Sequence, residues 1–239
     1  MDLTGQVALV TGANRGLGAR LVSALLDAGA TTVYATARHA ADIAADVRDD
    51  PRVRTLILDV TDEAGVAAAA AAAPDVTVLV NNAGVLHFGG VLDSDLAGVE
   101  QDLATNYLGL LRVSRAFTPI LERNQPAALV NVLTLIALAP VPPMAGYSAS
   151  KAAAHSATQA LRAELRERGV HVLGAYPGAI DTDMLAGVEA VKAAPETVAA
   201  RIVAALTAGK TVVFPDDASA AAGSVYLTDP IKLEAMLTA

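Results

Sequence analysis

Short apolar runs alternate along the chain with longer segments in which apolar residues recur every three or four positions. The runs at 7–11, 32–37, 53–58, 76–80, 128–133, 170–175 and 211–214 carry Val, Leu, Ile and Ala with little polar interruption. Runs of that length, apolar at successive positions, suit strands covered on both faces. The run through Leu21, Val22, Leu25 and Leu26 and the segments 62–73, 95–123, 147–168 and 195–208 have helical spacing. Gly29 and Gly169 stand where two of these helices should stop. Strands alternating with helices predict a doubly wound α/β fold with a mostly parallel sheet of about seven strands and helices on both faces. No repeat or linker divides residues 1–239, so one domain is expected. Residues 46–52 read as a polar loop, 85–99 as a loop entering a helix, and DDASAAAG in the segment 215–239 as a breaker-rich loop before a short amphipathic tail.

In such a fold ligands bind where strands end, and the polar residues cluster there. TGANRGLG, residues 11–18, joins the first strand to the first helix. Its glycines, Gly12, Gly16 and Gly18, allow a tight turn and close backbone approach, and a helix N-terminus offers N–H groups to an anion. The spacing departs from G-x-G-x-x-G, so a purely structural glycine turn stays open beside the phosphate cradle. At the end of the second strand, an Asp or Glu would accept both ribose hydroxyls of NAD. Ala37 and Arg38 stand there instead, and Arg15 lies within reach. Two cations and no carboxylate suit a 2′-phosphate, hence NADP(H), unless Arg38 merely opens an exposed helix. Asp59 ends the third strand, to meet adenine or to cap the next helix. NNAG, residues 81–84, lets backbone lie close to a flat ligand. Asn106 is a poor helix former inside a helical segment. It is either a hydrated link in a catalytic chain or a bonded structural amide.

The fifth strand leads to Thr134, and a loop then leads to Tyr147 and Lys151, four residues apart. On a helix both lie on one face. An ammonium beside a phenol favours the phenolate, so this pair can exchange a proton near neutral pH.

Composition narrows the classes. With 17 basic and 25 acidic residues the formal charge is −8, and no basic block suggests a nucleic-acid surface. There is no cysteine, and His39, His87, His155 and His171 fall at no metal-binding spacing. No apolar run approaches a membrane span, and MDLTGQVALV leads straight into a strand, so no membrane partner and a cytoplasmic location are expected.

Taken together, TGANRGLG at 11–18, DV at 59–60, NNAG, Asn106, NVLT at 131–134, YSASK at 147–151 and PGAIDTDM at 177–184 resemble the short-chain dehydrogenase/reductase superfamily in its single-domain form. The resemblance covers roughly 4–214 and implies a Rossmann-type fold. It implies that Tyr147 is the general acid in carbonyl reduction and the base in alcohol oxidation. Lys151 would lower the Tyr147 pKa and bond the nicotinamide ribose, and Asn106 would hold a relay water. Thr134, where serine is usual, would orient the carbonyl oxygen. The cofactor would contact Gly12, Asn14, Arg15, Gly16, Leu17 and Gly18, then Arg38, Asp59 and Val60. Asn81, Asn82, Ala83 and Gly84 would line its adenosine side. Pro177, Gly178, Ile180 and Thr182 would bracket the nicotinamide together with Tyr147 and Lys151.

The function so implied is NADP(H)-dependent interconversion of a ketone or aldehyde and its alcohol. Leu135, Ile136, Val141, Pro142, Met144 and Leu185 are candidates to line an apolar substrate pocket under a short lid. The two long helices would pair the chain into a homodimer, with a tetramer less secure because FPDDASAAAGSVYLTDP lacks the usual glycine-rich segment. A sugar-nucleotide epimerase or dehydratase shares the Tyr–Lys pair but generally carries a further substrate region. A regulatory or scaffolding protein that binds NAD(P) without turnover would be favoured by loss of Asn106, Tyr147 or Lys151, all of which are present.

Overall fold

The strands form where the apolar runs lie. In the computed structural model, which describes residues 1–238, they are β1 (Val7–Val10), β2 (Thr32–Ala37), β3 (Val53–Ile57), β4 (Val78–Asn81), β5 (Ala127–Val132), β6 (Val170–Ala175) and β7 (Val212–Val213). All pair in parallel, in the order β3-β2-β1-β4-β5-β6-β7. The seven-stranded parallel sheet agrees with the sequence reading, with ends moved by one or two residues and β7 reduced to two.

Alternation along each strand feeds two cores. Ala8 and Val10 of β1, with Val78 and Val80 of β4, face one core, which also holds helix α1 (Gly16–Asp27) and the short α2 (Ala45–Arg48). Leu9 and Leu79 face the other, with α3 (Glu63–Ala72). Two long helical stretches complete that second layer. The first is α4 (Leu96–Asp102), a π-helical segment (Leu103–Gly109) and α5 (Leu110–Arg123); the second is α6 (Ala145–Arg166). Helix α7 (Pro195–Thr207) packs beside α1. Each helix brings its apolar stripe to the sheet: Leu21, Val22 and Leu25 from α1, and Val113, Phe117 and Leu121 from α5 are almost wholly buried.

Three local expectations change. The segment 95–123 is helical throughout but widens to π geometry around Asn106. A four-residue helix, α2, occupies part of the 46–52 loop region. All of DDASAAAG after Asp216 is helical, within α8 (Asp217–Thr228), and a further helix, α9 (Pro230–Thr238), follows. Asp216 and Ser219 form a reciprocal capping box at the start of α8. Gly223 lies inside α8 where the Phe214 ring packs, and a Cβ there would come within 2.6 Å of the ring. Among the described residues, no helix is long and apolar enough to cross a membrane.

Candidate active site

Chain connections leave β1 toward β2 on one side and return to β4 on the other, so the loops at the carboxyl ends diverge there. They open a cleft of about 1000 Å³.

One end of the cleft is a backbone cradle. Arg15, at the cap position of α1, gives its first turn no side-chain hydrogen bond, and that turn holds no acidic residue. Its N–H groups are therefore left for an anion. Gly12 has φ +65°, and a Cβ on it would meet the Ala83 Cα at 3.0 Å. A Cβ on Gly18 would stand 2.0 Å from the Gly12 carbonyl oxygen. The loop is pinned from β4: Asn82 Nδ2 donates to the Thr11 and Gly12 carbonyls at 2.9 and 3.0 Å. Thr11 Oγ1 accepts from the Asn82 and Ala83 N–H groups at 2.9 and 3.0 Å. The TGANRGLG and NNAG motifs thus hold each other, and a side chain at Gly12 or Gly18 would push the two loops apart. These residues fit a dinucleotide.

Asn14, Arg15, Gly16, Leu17, Arg38, Asp59 and Val60 also line the cleft. Arg38 is exposed. Arg15 does not turn toward the end of β2. It pairs with Asp183 across the cleft at 3.1 Å, both side chains being about 70% exposed. Asp59 caps no helix. It accepts from the Thr61 N–H at 2.8 Å and the Thr61 hydroxyl at 2.7 Å, while Asp62 caps α3. Partial burial acts to raise the Asp59 carboxyl, but the Thr61 bonds and the Arg38 charge outweigh it and hold it below its ordinary value.

The other end carries the proton-bearing groups. Helix α6 begins two residues before Tyr147, because the Ala145 N–H donates to the Gly89 carbonyl at 3.1 Å and ties the helix start to the loop after β4. Tyr147 and Lys151 share its inner face, and both line the cleft. Lys151 Nζ donates to the Val132 carbonyl at 2.9 Å and lies 5.9 Å from the centre of the Tyr147 ring. Burial brings Lys151 down to about 8, opposed by the nearby Asp102 carboxylate. The expected lowering of Tyr147 is reversed in this structure. Burial pushes its phenol above the ordinary value, and the Asp102 charge pushes the same way. Thr134 Oγ1 donates to the Pro177 carbonyl at 3.3 Å, a long bond that a hydroxyl rotor can exchange for another acceptor.

Asn81 and Asn106 do not line the cleft. Both border a separate cavity of about 10 Å³ behind it, with Thr11, Thr105 and Lys151. Asn106 Oδ1 accepts from the Val85 N–H, and its Nδ2 donates to the Val85 carbonyl and to Ser150 Oγ, each at 2.9 Å. Both of its N–H groups are thus bonded, while one lone pair of Oδ1 stays open beside the cavity. Asn81 Nδ2 donates to Ser114 Oγ at 3.0 Å and Asn131 Oδ1 at 2.9 Å, leaving Asn81 Oδ1 buried without a partner among the described residues. Asn81 therefore turns away from the adenosine side, while Asn82, Ala83 and Gly84 line the cleft.

Pro177, Gly178, Ile180 and Thr182 line the far wall. The Gly178 N–H donates to Asp216 Oδ2 at 2.8 Å, tying this segment to the cap of α8. Leu135, Ile136, Val141, Met144 and Leu185 line the cleft as expected, but Pro142 does not. Val188, Val191 and Leu237 join them. Thr11, Ser150 and Asp216 support the site without having been singled out in the sequence. Only Asp216 carried a local signal, the D-x-x-S spacing of a capping box.

The sequence profile described as short chain dehydrogenase matches residues 6–193. The chain belongs to the short-chain dehydrogenases. This family of NAD(P)(H)-dependent oxidoreductases includes several close structural relatives. A short chain dehydrogenase from Burkholderia cenocepacia J2315, in complex with NADP, is 39% identical with a TM-score of 0.94, covering 100% of each chain. A 3-ketoacyl-(acyl-carrier-protein) reductase from Brucella melitensis, complexed with NADH, is 26% identical with a TM-score of 0.80 over 89% of this dehydrogenase and 96% of that chain. Short chain dehydrogenase pigC from Monascus ruber is 36% identical over 200 residues, 78% of this dehydrogenase. The match spans 66% of the length of that relative.

Proposed function

We propose that this short-chain dehydrogenase interconverts a ketone or aldehyde and its alcohol, using NADP(H), in one domain comprising residues 1–239. The observation that carries the reading is one cleft with a glycine cradle at one end and Tyr147, Lys151 and Thr134 at the other. When bound, NADPH supplies the hydride for carbonyl reduction, and NADP⁺ receives it in alcohol oxidation. Tyr147 gives its phenolic proton to the carbonyl oxygen as charge develops there, and takes a proton back in the reverse direction. The Thr134 hydroxyl donates to the same oxygen and stabilises the charge. Lys151 bonds the nicotinamide ribose and offsets negative charge on the Tyr147 oxygen. The 10 Å³ cavity between Asn106 and Lys151 is near the smallest space that holds one water. It supports a relay water there, bordered by Asn106, whose Oδ1 has one lone pair left beside its bond from the Val85 N–H, and by the unpartnered Asn81 Oδ1.

NADP(H) is preferred to NAD(H) on the strength of Arg38 at the end of β2, where no carboxylate competes for the ribose. The NADP bound to the Burkholderia relative agrees with this; the NADH bound to the Brucella relative shows that the fold accepts either. Arg15 joins Arg38 only by leaving Asp183. Titration of purified protein with NADPH and with NADH, followed by nicotinamide fluorescence, tests the preference. NADPH is expected to bind at least about tenfold tighter, as one charge-assisted phosphate contact supplies. Tighter NADH binding would mean that Arg38 serves only solvent.

The substrate is expected to be an uncharged or weakly polar carbonyl compound, because Leu135, Val141, Met144, Leu185 and Leu237 supply the cleft wall. A homodimer is proposed through the α4–α5 and α6 helices, on which Leu96 and Leu108 stand exposed.

A further inference from the structure

Lys151, proposed above as a charged ribose and proton-relay residue, is a buried ammonium with no counter-charge in the cleft wall beside it. Lys151 is 5% exposed, and its one hydrogen bond goes to the neutral Val132 carbonyl. An uncompensated ammonium in such a place gives up its proton.

Asp102 is wholly buried at the end of α4. Its Oδ1 accepts from His87 Nδ1 at 2.9 Å, and its Oδ2 faces the His87 N–H at 3.4 Å. Two contacts fix where Asp102 lies against α6. A Cβ on Gly146 would stand 2.9 Å from Val99 Cγ2, and farther along the same two helices Asn106 bonds Ser150. Asp102 falls between Val99 and Asn106, one turn before Asn106, and so faces the turn of α6 that carries Tyr147 and Lys151. The titratable groups facing it are His87 from the loop after β4, and Tyr147 and Lys151 from α6. Glu100 on its own helix is exposed and lies on another side.

We propose that Asp102, anchored by His87, is the buried counter-charge that keeps Lys151 an ammonium, and is thus a positioning residue for the reaction proposed above. The carboxylate attracts the ammonium while burial works against it. Asp102 in turn depends on His87. Burial holds the Asp102 carboxyl above its ordinary value, and the bonds from His87 limit that rise. Without the imidazole, Asp102 takes up a proton more readily and its charge is lost to Lys151.

The chain contains four lysines, Lys151, Lys192, Lys210 and Lys232. Each gives one resonance in protein labelled with ¹³Cε-lysine, and Lys151→Arg assigns the resonance of interest. Titrating the full chain by NMR, Asp102→Asn is expected to make Lys151 lose its proton about one pH unit lower than in the parent. His87→Ala should move it in the same direction. His87→Asn, which keeps an amide donor near the place of Nδ1, should restore a near-parental titration. A merely structural role for Asp102 would not produce that pattern. Unchanged Lys151 titration in Asp102→Asn and His87→Ala overturns the inference; if Asp102→Asn does not fold, His87→Ala decides it. The underlying reading has its own arm. A Lys151→Met protein that binds NADPH as tightly as the parent would sink the ribose role of Lys151, and with it the purpose of the counter-charge.

Discussion

Tyr147 and Lys151 are both buried beside the cleft, and burial drives them in opposite directions, the phenol upward and the ammonium down to about 8. Each shift favours the neutral form. Replacing Tyr147 with Phe removes the proton donor but little of the cleft wall. Turnover should fall by about 10²–10⁴-fold while NADPH binding is kept, and activity within tenfold of the parent would refute the role. The Lys151 shift has a direct pH consequence. Below about 8 the residue is the ammonium, and above that it loses both its charge and a donor proton. NADPH binding should accordingly weaken as pH rises through about 8, rather than near the usual lysine value; fluorescence titration from pH 7 to 10 checks this, and a flat profile counts against the assignment. At this scale the sequence was informative wherever a residue acts through its local backbone. Gly12, Gly18 and Asn82 do what their motifs imply. Asn81 could have been separated from Asn82 by strand alternation, since neighbours at a strand end point to opposite faces. The Arg15–Asp183 pair joins positions 168 residues apart in the chain, and no local pattern announces it.

Among the elements, α6 and α8 illustrate opposite relations between pattern and structure. Helix α6 was legible because helical spacing, a following glycine and the YSASK motif agree. Helix α8 is hidden in the sequence because Asp, Ser and Gly look like loop residues when counted as composition. Their order matters more: Asp216 accepts from the Ser219 N–H at 2.8 Å, and Gly223 makes room for Phe214. Asp216 serves two elements, capping α8 and receiving the Gly178 N–H at the cleft. Replacing it with Ala should cost about 2 kcal/mol through the lost cap and the orphaned Gly178 N–H. The thermal midpoint should drop by several degrees. Scanning calorimetry measures this, and an unchanged midpoint would show that the cap is dispensable.

For the whole molecule, unbroken apolar runs alternating with helically spaced segments were enough to predict a mostly parallel sheet of about seven strands, because a parallel strand buried on both faces leaves a nearly unbroken apolar run. They did not specify how the two halves of the long helical stretch 96–123 face the rest of the protein. One half sends Asp102 and Asn106 toward the site, and the other sends Val113, Phe117 and Leu121 into the core. The same stretch is the proposed pairing face. Sedimentation at micromolar protein should give twice the chain mass, and a monomer would rule the dimer out. The π turn between the halves sets their relative phase. Each α-helical residue advances the chain by about 100°. Deleting one residue between Asn106 and Leu110 would therefore swing the apolar stripe about 100° out of alignment with the polar pair. The wide turn lets a single rod present two faces that a uniform spiral would not bring into register, so length changes there should be far less tolerated than substitutions.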